Sequence, residues 1–404
     1  MCFDCKKGNL IIMNDIIVFE DENNNKNISY FEDGKIVENY IQYKTDQRLE
    51  GNIYAGIIRK ILPGIQAAFV DIGKSKNVFL HIKDIIPKTS NQTGNKNENL
   101  ESYNINNYVK VGDKVLVQIK KDKTELKGAK ASTHINFSGR YCVIIPNVDF
   151  VTVSSKIEDE QEVNRLKQII SKGNKQNLGV IVRTSAAKKT EKEILEDLDL
   201  LIKKWNEIVA KYDNLKKEDM PVLLYRNYNV LEKLILDVVD KNTLNIITNN
   251  EKIKEEIQKI LDSYSLNANI KISDNIKYVN DLDKNLDKIS SRKIWLKCGG
   301  FITIDKTEAL TAIDVNSGKF IGEYDKEYTV YEVNCQATEE IARQIRLRDI
   351  GGIIIIDYID MKNETRDMII NLWEKVLKKD RSKVQIVGFT PLNLLEITRK
   401  HMWS

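Results

Sequence analysis

The chain has 404 residues, 42% hydrophobic and 30% charged, with 63 basic and 59 acidic side chains and a net charge of +4. That composition is globular and excludes collagen-like, mucin-like and wholly disordered chains, while the length exceeds what one hydrophobic core covers, about 250–300 residues, so two or three domains are expected. No run approaches the roughly 20 apolar residues of a membrane helix, the N-terminus lacks the pattern of a signal peptide, and five scattered cysteines (Cys2, Cys5, Cys142, Cys298, Cys335) read as free thiols of a cytoplasmic protein.

Residues 1–46 alternate short β-like runs (Asn9–Met13, Ile16–Phe19, Asn27–Phe31, Ile36–Tyr43), with a hairpin turn at Glu32-Asp33-Gly34-Lys35. Residues 48–133 read as an all-β unit, with strands around Gly51–Tyr54, Gln66–Gly73, Val78–Ile82 and Lys114–Ile119. Its polar stretch Lys88–Asn107 is expected to be a long mobile insertion. Residues 134–228 mix strands (Tyr141–Pro146, Gly179–Thr184) with helices at Glu158–Lys172 and Thr190–Tyr212, the second opened by a Thr190/Glu193 capping box. A helix near Val230–Val239, a strand at Leu244–Ile247 and a helix at Asn250–Tyr264 suggest an α/β layer. In the last block a hairpin pairs Phe301–Asp305 with Ala309–Asp314, and a helix covers Thr338–Arg348. The four isoleucines Ile353–Ile356 then predict a strand covered on both faces, before a helix at Thr365–Lys379 and a strand at Lys383–Phe389.

The acids in this last block carry the chemistry. Side chains two apart on a strand share a face, so Asp314 and Asn316 point together if the strand runs that far. Asp357 ends the isoleucine strand, where a carboxylate is costly without a partner. Two such carboxylates brought together repel each other. A divalent cation would relieve both penalties, and all-oxygen ligands favour Mg²⁺ or Mn²⁺ over zinc. Strand-end caps paired with arginines account for the same residues, and Asp360 is expected on the opposite strand face in a structural role. With only three histidines (His81, His134, His401) in separate segments, and no Gly-x-Ser-x-Gly, Walker or His-Glu-x-x-His motif, metal-activated water is the best-supplied hydrolytic route.

Residues 106–140 hold eight basic side chains against three acidic ones, and Phe69 and Phe79 lie on neighbouring strands of the same unit. Aromatics beside lysines suit single-stranded nucleic acid, although core phenylalanines under a solvated lysine face fit equally. Arg183-Thr184 could hold a phosphate, a surface salt bridge being the plainer account. Arg343, Arg346 and Arg348 suggest either intrahelical pairing or an RNA path. Cys2-Phe3-Asp4-Cys5 has zinc-knuckle spacing but no second pair completes four ligands, so zinc is not expected.

Gly51–Ile85 resembles the OB-fold RNA-binding module of the ribosomal protein S-one type. The runs GGFITIDKTEALTAIDVNS, NCQATEEIARQIRLRDIGGIIIIDYIDM and LLEITRK resemble the ribonuclease E/G family, and the likeness runs from about residue 28 to 400. The resemblance implies an α+β multidomain protein. An RNase H-like fold would be split between 1–46 and 229–289, with an OB-fold β-barrel (47–133) and a 5′-sensor (134–228) inserted, and a DNase I-like α/β catalytic domain (290–404) would follow. It implies a cytoplasmic Mg²⁺-dependent endoribonuclease of rRNA processing and mRNA decay, cutting single-stranded A/U-rich RNA to 5′-phosphate and 3′-hydroxyl ends. By motif position Asp314 and Asp357 match the metal ligands and Asn316 the residue orienting water or phosphate. Phe69, Phe79 and Lys127 match RNA-gripping positions, and Gly139, Val143, Arg183, Thr184 and Lys383 the 5′-monophosphate pocket. Where family members carry a Cys-x-x-Cys pair that shares zinc between subunits, this sequence has His401-Met402-Trp403-Ser404. A homo-oligomer would therefore need another interface.

Overall fold

The computed structural model describes residues 14–44, 48–85, 104–122, 128–240, 243–276, 282, 286, 289–318 and 326–403. The chain divides into two compact units, Met1–Thr45 with Val230–Ser404, and Asp46–Asn229. The described chain opens with an antiparallel meander, β1 (Asn14–Glu20), β2 (Lys26–Glu32) and β3 (Lys35–Gln42). Asp33 and Gly34 both take positive φ, 49° and 72°, as a two-residue hairpin turn requires.

The Asp46–Asn229 unit starts with a barrel of β4 (Ile53–Leu62), β5 (Ala67–Asp71), β6 (Val78–His81), β7 (Lys114–Lys121) and β8 (Lys130–Ser132). Its order is β4-β5-β6-β8-β7, and β7 returns to pair with β4, so the five strands close. Ile58, Val70, Leu80, Val117 and Ala131 fill the interior. Of the stretch expected to be mobile, only residues 104–107 are described. There Ile105 is fully buried in the barrel core and its N–H donates to Gln66 Oε1 at 2.9 Å. The polar composition of the stretch hid this apolar anchor.

A second sheet follows, β9 (Phe137–Ser138), β10 (Cys142–Ile145), β11 (Val151–Val153) and β12 (Gly179–Val182), in the order β11-β12-β10-β9. Helices α1 (Glu160–Gly173) and α2 (Glu191–Asn214) bury Leu166, Ile170, Leu198 and Leu201 against it. The Thr190/Glu193 capping box opens α2. Strand β13 (Val222–Tyr225) then pairs with β4.

The other unit resumes with α3 (Val230–Val238), β14 (Thr243–Thr248), α4 (Glu251–Ser263) and β15 (Ile270–Ile272), giving a sheet β15-β14-β1-β2-β3 in which β14 runs parallel to β1. Both faces are covered. Ile16, Val18 and Ile28 pack on α3 and α4, while Ile17, Phe31 and Ile36 pack on Ile276, Leu282 and Leu347.

The last sheet contains β16 (Lys293–Trp295), β17 (Phe301–Lys306), β18 (Leu310–Asn316), β19 (Gly352–Asp357), β20 (Val384–Phe389) and β21 (Leu394–Arg399), in the order β16-β17-β18-β19-β21-β20. Helices α5 (Lys326–Leu347) and α6 (Asn363–Leu377) supply Val333, Ala337, Ile341, Ile345, Ile369 and Trp373 to one face. There they meet Ile302, Ile313, Ile354, Ile356 and Ile397. The other face is open: Ile353 is 48% exposed and Ile355 half-buried. This corrects the expectation of a strand covered on both faces. Helix α5 also begins twelve residues before its expected start at Thr338, because Val333 and Ala337 extend its buried stripe by a turn and more.

The molecule is thus a mixed α/β protein with a closed five-stranded barrel. No helix among the described residues is long and apolar enough to cross a membrane.

Candidate active site and nucleic-acid surfaces

Strands β18 and β19 run parallel, and their register sets Asp314 directly opposite Asp357. Because Ile313 and Val315 point into the core, Asp314 and Asn316 point to the open face. Ile354 and Ile356 do the same for Asp357. The strand does run as far as Asn316, whose Nδ2 donates to Asp314 Oδ2 at 2.5 Å. Partial burial, then the charges of Asp314 and Asp360, push the Asp357 carboxyl above its ordinary range. Asp360 therefore adds to the local negative charge. Since β19 ends at Asp357, the alternation that placed Asp360 on an opposite face does not reach it. Two exposed carboxylates opposed across one strand gap (~4.8 Å), one of them held by the Asn316 amide, form a hard-oxygen site with room for water. Its residues fit a divalent cation of the Mg²⁺ or Mn²⁺ type.

The residues that hold this geometry went unread in the sequence. Asn334, fully buried on α5, clamps the backbone just past Asp357: its Nδ2 donates to the Ile359 carbonyl at 2.9 Å and its Oδ1 accepts from Ile359 N–H at 3.3 Å. Tyr358, the next residue after Asp357, is buried. Its hydroxyl lies 2.6 Å from Thr338 Oγ1 and accepts from Trp373 Nε1 at 2.9 Å. On the other strand, a Cβ on Gly300 would come within 2.8 Å of the Asn316 carbonyl, so glycine lets the preceding loop close on the end of β18. The asparagine and threonine sit at positions i and i+4 of one helix, which was the available signal.

Of the arginines of α5, Arg343 shows the expected intrahelical pairing and Arg346 pairs outside the helix. Arg343 pairs with Glu340 within the helix at 2.6 Å and also donates to the Ile36 carbonyl at 2.9 Å. Arg346 is buried and bridges Glu32 at 2.8 Å and Glu38 at 3.2 Å, fastening α5 to the first meander. Arg381 also pairs with Glu38, and with Asp237 at 2.8 Å. Burial alone would raise the Glu38 carboxyl, but the two guanidiniums outweigh it and hold it at about 2.

In the barrel, Phe69 and Phe79 are register partners with edge-on rings 6.0 Å apart. Both are half-buried and belong to no core cluster. Lys60 pairs with Phe69, and Lys130 pairs with Phe79 and Lys121. Two aromatics therefore stand in one row between lysines on the outer wall. Lys127 lies outside the described residues, as do Cys2 and Cys5.

In the four-stranded sheet of the same unit, Arg183 follows β12 and its Nη1 donates to the Gly139 carbonyl at 2.7 Å. Thr184 Oγ1 lies 3.0 Å from Ser154 Oγ. Val143 pairs with Ile181, two residues before Arg183 and on the same side. Gly139 is required by the Asp197 carboxylate, which would lie 2.5 Å from a Cβ there and accepts the N–H groups of Arg140, Tyr141 and Cys142 at 2.8–2.9 Å. These four residues thus gather at one end of the sheet. Lys383, exposed just before β20, belongs to the other compact unit.

The ribonuclease E/G family model matches residues 136–402. Ribonuclease G of Salmonella typhimurium and of Escherichia coli K12 are each 35% identical over 379 residues, covering 92% of this chain and 77% of theirs. Ribonuclease E of a Nostoc species is 33% identical over 361 residues, covering 87% of this chain and 51% of its own. The motif carrying Asp314, Asn316 and Asp357 falls within the matched span, and the chain belongs to the ribonuclease E/G family.

Proposed function

We propose that this protein is a metal-dependent endoribonuclease that cuts single-stranded, A/U-rich RNA to 5′-phosphate and 3′-hydroxyl ends, acting in the cytoplasm in rRNA processing and mRNA decay. The observation that carries the reading is the register pairing of Asp314 with Asp357 on an open sheet face, beside Asn316. Asp314 and Asp357 would hold the cation, Mg²⁺ before Mn²⁺. When bound, such an ion supplies phosphate polarisation and a water of lowered pKa. Asn316 fixes Asp314 through one amide hydrogen; its amide oxygen would accept from the attacking water, and its second N–H would donate to the scissile phosphate. Phe69 and Phe79, between Lys60 and Lys130, would stack unpaired bases, with Lys127 adding charge. Arg183, Thr184, Gly139 and Val143 would form the pocket for a 5′-monophosphate; Lys383, matched to that pocket by motif position alone, lies in the other compact unit. We assign the sheet built from β1–β3, β14 and β15 to an RNase H-like fold, the barrel to an OB-fold, and the final sheet to a DNase I-like catalytic fold.

The test is cleavage of one oligonucleotide sequence as 5′-monophosphorylated RNA, 5′-hydroxyl RNA and DNA, each with Mg²⁺ and with chelator. Cleavage of RNA alone, abolished by chelator and fastest on the 5′-monophosphate, is expected. RNA binding without any cleavage would leave a non-catalytic RNA-binding protein of the same fold, and equal cutting of DNA would overturn the RNA specificity.

A further inference from the structure

The open face of the last sheet carries a second cluster. Trp295 on β16 is 64% exposed, an unusual position for the side chain with most apolar surface to hide. It pairs in register with Phe301, and Phe301 pairs with Asn316, so the three stand in one row across three neighbouring strands on the face that holds Asp314 and Asp357. The Trp295 and Phe301 rings meet edge-on with centroids 5.3 Å apart. Lys293, two residues before Trp295, places its ammonium 3.6 Å from the Phe301 centroid and 4.2 Å from that of Trp295. An aromatic pair capped by a cation thus starts one strand away from Asn316, about 4.8 Å.

We infer that Trp295, Phe301 and Lys293 form a base-stacking subsite for an unpaired base close to the scissile phosphate. The inference rests on the RNA-cleaving reading for its position and extends that reading to residues outside the barrel. Stacking on an aromatic tolerates any base, and the ammonium serves both the rings and a neighbouring phosphate. A second protein copy fits this corner less well. A two-fold contact centred here would set Lys293 against its own equivalent. The exposed aliphatic side chain of Val387 lies on β20, at the opposite edge of the sheet. Bases held here would place the backbone beside Asp314 and Asp357 without any change in the sheet.

The experiment pairs protein variants with substrate lesions. Wild type, Trp295→Ala and Trp295→Phe are tested against 5′-monophosphorylated RNA carrying an abasic residue at each of the four positions flanking the cut. Binding is read in chelator and cleavage in Mg²⁺. One abasic position should weaken the wild type about tenfold, the value of one stacked base. Trp295→Ala should lose about the same on intact RNA and nothing further at that position, and Trp295→Phe should recover most of it. Trp295→Ala binding intact RNA like the wild type, or losses that add in full at every position, would overturn the subsite. So would a change in sedimentation with additive losses, which would assign the face to a second copy. Failure of the wild type to cleave would count against the enzyme reading alone, because the same cycle is read in binding.

Discussion

Two runs of β-branched apolar residues fare differently in the same compact unit. Ile16, Ile17 and Val18 in β1 are all fully buried, one side against α3 and α4 and the other against Ile276, Leu282 and Leu347. Of the four isoleucines in β19, Ile354 and Ile356 are fully buried and Ile353 is 48% exposed. The first sheet has two packed faces and, among the described residues, presents no carboxylate pair to solvent. The second leaves one face uncovered, and that face displays Asp314, Asn316, Asp357, Trp295 and Phe301. A run of isoleucine is compatible with either outcome; what decides is whether the chain supplies elements for both faces. A sheet stabilised from one side can place charges at register partners on the other without burying them, and avoids the desolvation cost that a two-faced sheet would impose.

The contrast breaks most sharply at the acids. Asp314→Asn or Asp357→Asn should lower cleavage by roughly a thousandfold or more, the several kcal/mol that a correctly held ion contributes. Both should leave the melting temperature and RNA affinity nearly unchanged, because these side chains lie on the open face. Cleavage rates, calorimetry and RNA binding on the same preparations check this; retained cleavage in either variant refutes the assignment. The opposite behaviour is expected where charge is buried. Glu38→Gln should cost about 3–5 kcal/mol, since Arg346 and Arg381 would be left facing a neutral amide in the interior. The Glu38 carboxyl binds its proton at about 2 in the folded state against an ordinary 4.5. Its stabilisation is therefore complete above about pH 4.5 and disappears as pH falls toward 2. Denaturant titrations of the wild type should show that decline, and Glu38→Gln should flatten it.

Much of this was legible in the sequence. The hairpin at Asp33-Gly34, the capping box at Thr190 and Glu193, and most strands follow from local patterns. Strand β21 did not, although it lies inside the sheet between β19 and β20. Its inward position Arg399 reads as polar surface, yet it is buried because Asp349 and Asp380 each pair with it at 2.8 Å. Glu38 was equally opaque, since its partners lie 308 and 343 residues away. For the site, parity gave the shared face of Asp314 and Asn316. The meeting with Asp357 depends on parallel register between β18 and β19, which neither residue type nor spacing encodes. The clamp by Asn334 needs the same tertiary knowledge.

In the barrel, Phe79→Ala tests an aromatic that is half-buried but outside the core. Affinity for single-stranded RNA should fall by the equivalent of about 1–3 kcal/mol, with a smaller change in melting temperature than Leu80→Ala one residue on, whose side chain is fully buried. RNA titrations and thermal melts of both variants check this. If Phe79→Ala instead melts the protein while leaving affinity intact, the ring is packing rather than binding.

The smallest effect belongs to Ile353. Replacing it by Thr keeps the β-branched shape and β propensity while exchanging an ethyl group for a hydroxyl. On a face that is open in solution, stability should move by no more than about 0.5 kcal/mol. Ile17, at the same kind of position in a run of similar residues but fully buried, should lose about 2–5 kcal/mol on truncation to Ala. The pair of melts therefore measures whether the second sheet is open on one side. A large loss for Ile353→Thr that shrinks as protein concentration rises would mean that a second copy covers the face. The carboxylate pair would then sit at the margin of an interface, and cleavage rates would have to be read against the oligomeric state.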